Sequence, residues 1–284
     1  MPALLSILKP HVKDLGSFTV RRLLPAAAQR MIGPFIFWDH MGPAAFKPGD
    51  GINVRPHPHI GLATVTYLFE GAMLHRDSLG TVQVVLPGDV NWMVAGNGMV
   101  HSERSRPEDL ITGYRVHGIQ SWVALPQAHE QGAPSFSHHL KASLPMIRPP
   151  GTELRLIAGT AFGERSPVPV YSDTLYLAAK LSANATFELP PEHEDRAVYV
   201  VEGDVMVAGV MIAPAQMAVL TPGETVSIHA ATDARLMILG GAQMDGKRNF
   251  VASRRELIDN ARMRWREQRF APVPGETEFI PLPD

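Results

Sequence analysis

Glycine and proline punctuate this chain so densely that long uninterrupted helices are excluded over most of its length. There are 24 Gly and 25 Pro among 284 residues, roughly one residue in six. The short runs between them are rich in Val, Ile, Tyr and Phe, side chains that suit a pleated, half-buried surface. Strands are expected at 35–38, 64–69, 82–86, 113–123, 154–158, 175–180, 197–201, 205–212, 217–220 and 235–239, with shorter ones at 5–7 and 18–24. Helical periodicity appears only near the end. Ser253-Arg-Arg-Glu256 has capping-box spacing, and Leu257, Ile258, Ala261 and Trp265 recur on one face of 253–268. The expected fold class is all-β with one C-terminal helix.

The two halves echo each other. Tyr67-Leu-Phe-Glu-Gly71 is repeated as Tyr199-Val-Val-Glu-Gly203, and each is followed after a further strand by a Pro-Gly turn, at Pro87-Gly88 and Pro222-Gly223. This pattern implies a duplicated β-barrel. The stretch 127–150, rich in Pro, Ser, His and Gln, reads as a linker. The expected domains are 1–132 and 133–284, with the terminal helix in the second.

Charge and composition narrow the partners. A net charge of -2 and a pI near 6.6 argue against direct nucleic-acid binding and against an electrostatic membrane anchor. No window approaches the roughly 20 apolar residues that span a bilayer, and the first residues lack the pattern of a signal peptide. A soluble cytoplasmic protein is expected. There are no cysteines and twelve histidines, so any transition metal must be held by His, Asp and Glu.

Two short pieces carry the chemistry, His57-Pro58-His59 and His101-Ser102-Glu103. On a strand, residues i and i+2 share one face, so each piece aims two polar side chains in one direction. Gly96-Asn97-Gly98 supplies a tight turn that can bring the second strand beside the first. A lone His pair is common on exposed strands that bind nothing. Two pairs of the same parity in one half of the chain favour a single metal site over four unrelated solvated side chains. His75 and Asp77 are either partners that orient the ligands or an exposed turn. Phe35, Phe37, Phe46, Met93, Met99, Trp92 and Trp122 are either pocket walls or ordinary core.

The segment Pro56-His57-Pro58-His59-Ile-Gly-Leu-Ala-Thr-Val-Thr-Tyr-Leu-Phe-Glu70-Gly71, followed by Gly88-Asp-Val-Asn-Trp92 and Gly98-Met-Val-His101-Ser-Glu103, resembles the paired cupin motifs of the pirin family. So does Pro34-Phe-Ile-Phe-Trp-Asp39-His40-Met-Gly-Pro43. The resemblance implies a bicupin: two antiparallel β-barrels of jelly-roll type with one metal in the N-terminal barrel, held by His57, His59, His101 and Glu103. Ordinary cupins place their carboxylate a few residues after the His pair. Here that region, Ile60 to Thr64, contains no acid, and Glu103 takes over. No second His-Ser-Glu follows Pro222-Gly223, so the C-terminal barrel is expected to hold no metal, with His193 and His229 at the surface.

Three imidazoles and a carboxylate suit one divalent transition metal, Fe(II) foremost and Ni, Co, Cu, Mn or Zn otherwise. Some pirins act as quercetinases, so the resemblance implies a metal-dependent dioxygenase taking a small aromatic flavonol such as quercetin and dioxygen, with Glu103 as candidate general base. Others are associated with transcriptional regulation. The alternative it implies is a redox-sensitive regulatory protein that acts through a protein partner.

Overall fold

The computed structural model of the chain describes residues 3–16, 18–243 and 252–282. It is mostly β, and its contacts divide it into two compact units. The C-terminal unit comprises Met1–His11, Arg21–Trp38 and Ala142–Gly246; the N-terminal unit comprises Val12–Val20, Asp39–Lys141 and Lys247–Asp284.

The N-terminal unit is built on two sheets. The large one runs Ser135–His139, Val90–Val94, Leu62–Glu70, Tyr114–Ala124, Phe35–Phe46, Thr19–Leu24, His11–Asp14, of which His11 and residues 21–24 and 35–38 are counted with the C-terminal unit. The small one runs Asn53–His59, Met99–Arg104, Met73–Asp77, Val82–Val85. Val20, Met41, Leu68 and Val116 of the large sheet bury themselves against Met73 and Val85 of the small one, so the sheets face each other across an apolar core. The C-terminal unit repeats this strand order. Asp195–Glu202 lies between Met217–Leu220 and Ala234–Gly241 as Leu62–Glu70 lies between Val90–Val94 and Tyr114–Ala124. The duplication implied by the Tyr67 and Tyr199 echoes is thus a duplication of topology.

In each unit the pairing follows two open sheets, and the barrels expected from the resemblance are not closed. In the N-terminal unit the reason is visible at an edge: Asn53–His59 carries Pro56 and Pro58, which have no N–H to offer a further strand. Two other expectations change. The single strand 205–212 is a hairpin, Val205–Val207 and Val210–Ile212, because Ala208 and Gly209 both take positive φ, the requirement of a tight two-residue turn. The segment 127–150 is structured: Ser135–His139 pairs with Val90–Val94. It shows no alternation in sequence because four of its five residues are half-buried.

The helix forms at Arg255–Arg266, with Ala261 and Trp265 buried on the expected face. The capping box does not form. Arg254 is the N-cap, without a side-chain cap, and both the backbone N–H and the hydroxyl of Ser253 donate to the buried carboxylate of Glu130, at 2.7 and 2.5 Å. The helix also joins the N-terminal unit, where the linear division of the chain assigned it to the second domain. Its apolar face packs with Ile60, Val100, Phe270 and Val273, that is, on the back of the strands carrying the His pairs. The tail that follows is tied to the same strands. Ile280 N–H donates to Pro56 O at 2.8 Å, Ser102 donates to Glu276 at 2.9 Å, and Arg104 grips both oxygens of Glu276 at 2.9 and 2.6 Å. Such a charged, two-point grip is among the stronger hydrogen-bonding arrangements.

Candidate metal centre

Strand pairing places the histidines. His101 stands directly across from His57, and Met99 across from His59, in the antiparallel pair Met99–Arg104 with Asn53–His59. The turn at Gly96–Gly98 makes this pairing possible: Gly98 N–H closes on Ala95 O at 2.8 Å. Gly96 takes positive φ at a point where a Cβ would lie 2.1 Å from Gly132 O, so only glycine fits there.

The Nε2 atoms of His57, His59 and His101 converge. His101 Nε2 is 3.0 Å from that of His59 and 3.1 Å from that of His57, and among the described residues these three form a group that can hold a metal ion. Ligands at right angles on bonds of about 2.1 Å stand about 3.0 Å apart, whereas a tetrahedral angle separates them by about 3.4 Å. The spacing therefore matches His101 standing at right angles to each of its two partners around one ion.

Burial lowers the pKa of all three imidazoles, and the neighbouring histidines lower those of His59 and His101 further; both lie well below the ordinary histidine value. They are neutral near pH 7, the form that binds metal. His57 donates from Nδ1 to Arg55 O at 2.9 Å; since a carbonyl can only accept, its Nε2 presents a lone pair to the cluster.

Glu103 is 3 % exposed. Gln120 Nε2 donates to both its oxygens at 2.7 Å, and Thr66 donates to Oε1 at 3.1 Å. Burial suppresses the positive charge of each imidazole, and the attraction of Glu103 works against that suppression at His57; Glu103 itself is not among the three residues whose ligand atoms converge. Trp122 lies edge-on to His59, with ring centroids 5.0 Å apart. His57, Gln120 and Trp122 are half-buried while His59, His101 and Glu103 are buried. The cluster is thus open to solvent on the side of the first three.

Behind His101 stand His75 and Asp77. They do not form an exposed turn: His75 is 4 % exposed and Asp77 is fully buried. His75 stacks on Phe136, centroids 4.6 Å apart. Met93 and Met99 pack with Ala95 against that same phenyl ring. Phe35 and Phe37 are buried core residues, while Phe46 is half-buried, stacks on Tyr114 and lines a surface pocket with Phe18 and Ile52.

Sequence reasoning missed Thr66 and Gln120 as partners of Glu103. Gln120 and Trp122 share i, i+2 parity within an expected strand, but nothing local says which face meets the histidines. It also missed His40 and His117, a second buried pair with Nε2 atoms 2.7 Å apart.

In the C-terminal unit the interior positions of the corresponding strands carry Phe187, Leu189, Val226 and Ile228, all in the apolar core. His193 is not at the surface as expected. It is 4 % exposed, with Nδ1 2.8 Å from Asp173 Oδ2 and Nε2 2.9 Å from Thr160 O; these two acceptors make its burial tolerable. His229 is half-buried, with Nδ1 2.9 Å from the Thr186 hydroxyl.

Comparison with known proteins places the family and the fold. The family described as Pirin matches residues 17–123, and the family described as Pirin C-terminal cupin domain matches 176–271. A pirin-like protein of Caulobacter vibrioides is 50 % identical over 281 residues, covering 96 % of each chain. Among solved structures, a quercetin 2,3-dioxygenase from Acinetobacter baumannii superposes with a TM-score of 0.91 at 30 % identity, covering 99 % of this chain and 95 % of that one. The Escherichia coli bacterial pirin YhhW in complex with nickel(II) superposes with a TM-score of 0.66 at 19 % identity, covering 84 % of this chain and 99 % of that one, a likeness of fold. With both family descriptions matched in order along the chain and half of all positions shared with the Caulobacter protein, this chain belongs to the pirin family.

Proposed function

We propose that the protein is a metal-dependent dioxygenase that opens the ring of a flavonol such as quercetin, with His57, His59, His101 and Glu103 as ligands of one divalent transition metal, Fe(II) foremost. The observation that carries this reading is the convergence of three neutral Nε2 donors, 3.0 and 3.1 Å apart, in the same buried interior as a carboxylate. The 30 % identity to a protein crystallised as a quercetin 2,3-dioxygenase supports the substrate class. When bound, the ion supplies Lewis acidity toward a substrate hydroxyl and an open position for dioxygen. Both oxygen atoms enter the products, so no external reductant is required.

The chain's own residues do the rest. Trp122 offers an aromatic surface at the half-open side, suited to a flat ligand. Glu103 would leave the ion and accept the flavonol 3-hydroxyl proton as general base. Gln120, which donates to both carboxylate oxygens, orients the group for either role.

Loading the protein anaerobically with Fe(II), and separately with Ni(II), Co(II), Cu(II), Mn(II) and Zn(II), then measuring oxygen uptake and product from quercetin, tests the reading. Turnover is expected with at least one ion and not in His57→Ala. Binding of about one ion per chain without turnover for every ion would exclude the flavonol oxygenase. For Glu103→Gln, turnover is expected to fall by about 100-fold or more; turnover within about twofold of wild type would remove Glu103 as the base.

Gln120→Leu is expected to weaken metal binding about tenfold, the lower end of the effect of losing a group that orients a ligand. Gln120→Glu is expected to weaken it more, because a second carboxylate facing Glu103 makes the pair hold a proton that the ion must displace. Titration of the metal-free variants checks the order, and equal affinities in all three proteins would show that Gln120 does not act on the site.

A further inference from the structure

Two of the three clustered histidines present a ring Nδ1 to a nearby acceptor, and the two acceptors differ. His57 uses the carbonyl of Arg55. His101 Nδ1 faces His75 Nδ1 at 3.5 Å, and a histidine can either accept or donate. What decides the direction lies one residue pair further back.

Asp77 Oδ1 accepts from the backbone N–H groups of Leu79 and Thr81 at 2.9 and 3.1 Å, so that oxygen is spoken for. Oδ2 is 3.1 Å from His75 Nε2. Two backbone N–H donors on one oxygen favour the ionised carboxylate, and an ionised carboxylate only accepts. His75 Nε2 therefore carries the hydrogen. In a ring bearing one proton, Nδ1 is then an acceptor, and it faces His101 Nδ1. That nitrogen in turn carries the hydrogen, which leaves His101 Nε2 with a lone pair directed at His59 and His57. The geometry is held by backbone pairing, since Asp77 stands across from His101 and His75 across from Glu103, and by the stack of His75 on Phe136.

We propose that Asp77 and His75 are positioning residues: a relay that locks His101 in the Nδ1-protonated tautomer and so holds its Nε2 open as a metal donor. The inference rests on the proposed metal site and adds two residues to it. It also makes a directional demand on Asp77. In Asp77→Asn the amide oxygen must take the Oδ1 place to serve Leu79 and Thr81, which puts the NH2 group against His75 Nε2. The relay then runs backwards: His75 is protonated on Nδ1, donates to His101 Nδ1, and leaves the hydrogen on His101 Nε2.

The test uses the full chain with Zn(II). In ¹⁵N-histidine-labelled wild type loaded with Zn(II), imidazole NMR is expected to show His75 protonated at Nε2 and His101 protonated at Nδ1. Competitive titration is expected to show Asp77→Asn binding Zn(II) about 10–100-fold more weakly than wild type, and His75→Phe, which keeps the stack on Phe136, also weaker. Wild type that binds Zn(II) with the His75 proton on Nδ1 would overturn the relay, as would Asp77→Asn binding within about twofold of wild type. Wild type that binds no Zn(II) would instead overturn the metal reading beneath it. The tautomer measurement needs only the wild-type protein, so the relay is testable even if a variant fails to fold.

Discussion

His101→Ala is expected to lower the affinity for a divalent transition metal by more than about 100-fold, beyond the upper end of what losing an outer partner of a ligand costs. His101 is the hub of the cluster: its Nε2 is 3.0 Å from one partner nitrogen and 3.1 Å from the other, and the residue is 1 % exposed. Removing it leaves a gap beside the buried rings of His59 and His75. His57→Ala is expected to have a smaller effect, because His57 is half-buried on the open side and water can take its place on the ion. Metal titration by competition with a chelator checks both, and the order of effects is the informative result. If His57→Ala lost more affinity than His101→Ala, the convergence on His101 would not be the organising feature of the site.

The second large effect is on stability. Trp265→Ala is expected to destabilise the N-terminal unit by about 3–5 kcal/mol, the range for emptying a large aromatic site in a packed core. Trp265 is 5 % exposed, packs with Ile60, Val100 and Phe270, and donates its indole N–H to Ile280 O at 2.9 Å. Ile280 is also the residue whose N–H reaches Pro56 O, immediately before His57. The substitution therefore loosens the tail that backs the His57–His59 strand as well as opening a cavity. Denaturant unfolding of metal-free protein checks the stability. Trp265→Phe keeps most of the packing and loses the indole donor, so it is expected to cost less. Equal unfolding midpoints for wild type and Trp265→Ala would show that the helix and tail contribute nothing to this unit.

The site was legible in the sequence to the extent that it depends on local geometry. The i, i+2 spacing in His57-Pro-His59 and His101-Ser-Glu103 says which side chains share a face, because alternation is a property of any strand. The helix was legible for the same reason: the spacing of Leu257, Ile258, Ala261 and Trp265 states which face is apolar, and the structure buries Ala261 and Trp265 on it. Ser253 shows where this ends. Its capping-box spacing is real, but Glu130, distant in sequence, offers a carboxylate that takes both its N–H and its hydroxyl.

The same limit separates the ligand candidates from the groups that orient them. Thr66, Gln120, His75 and Asp77 lie on three other strands; the sequence offered His75 and Asp77 as one of two readings, and no local pattern selects Thr66 or Gln120 from the chain's other polar residues. Register does, by setting Gln120 beside Thr66 and Asp77 across from His101. His193 carried the opposite lesson: it looked like a surface residue until Asp173 and the carbonyl of Thr160 gave its two nitrogens buried partners.

Taken alone, the sequence determined the all-β class, the duplication, the donor chemistry without thiolates, and the parity of the two His-bearing pieces. These follow from composition, from the repeated segment at Tyr67 and Tyr199, or from the two-residue period of a strand. Only the tertiary structure decided that the pairing stays in open sheets, that the terminal helix backs the His strands of the first unit, and which residues support Glu103 and His101. Those outcomes depend on hydrogen bonds and apolar contacts between segments far apart in the chain, whose partners are chosen by the competition of every strand edge and apolar face at once.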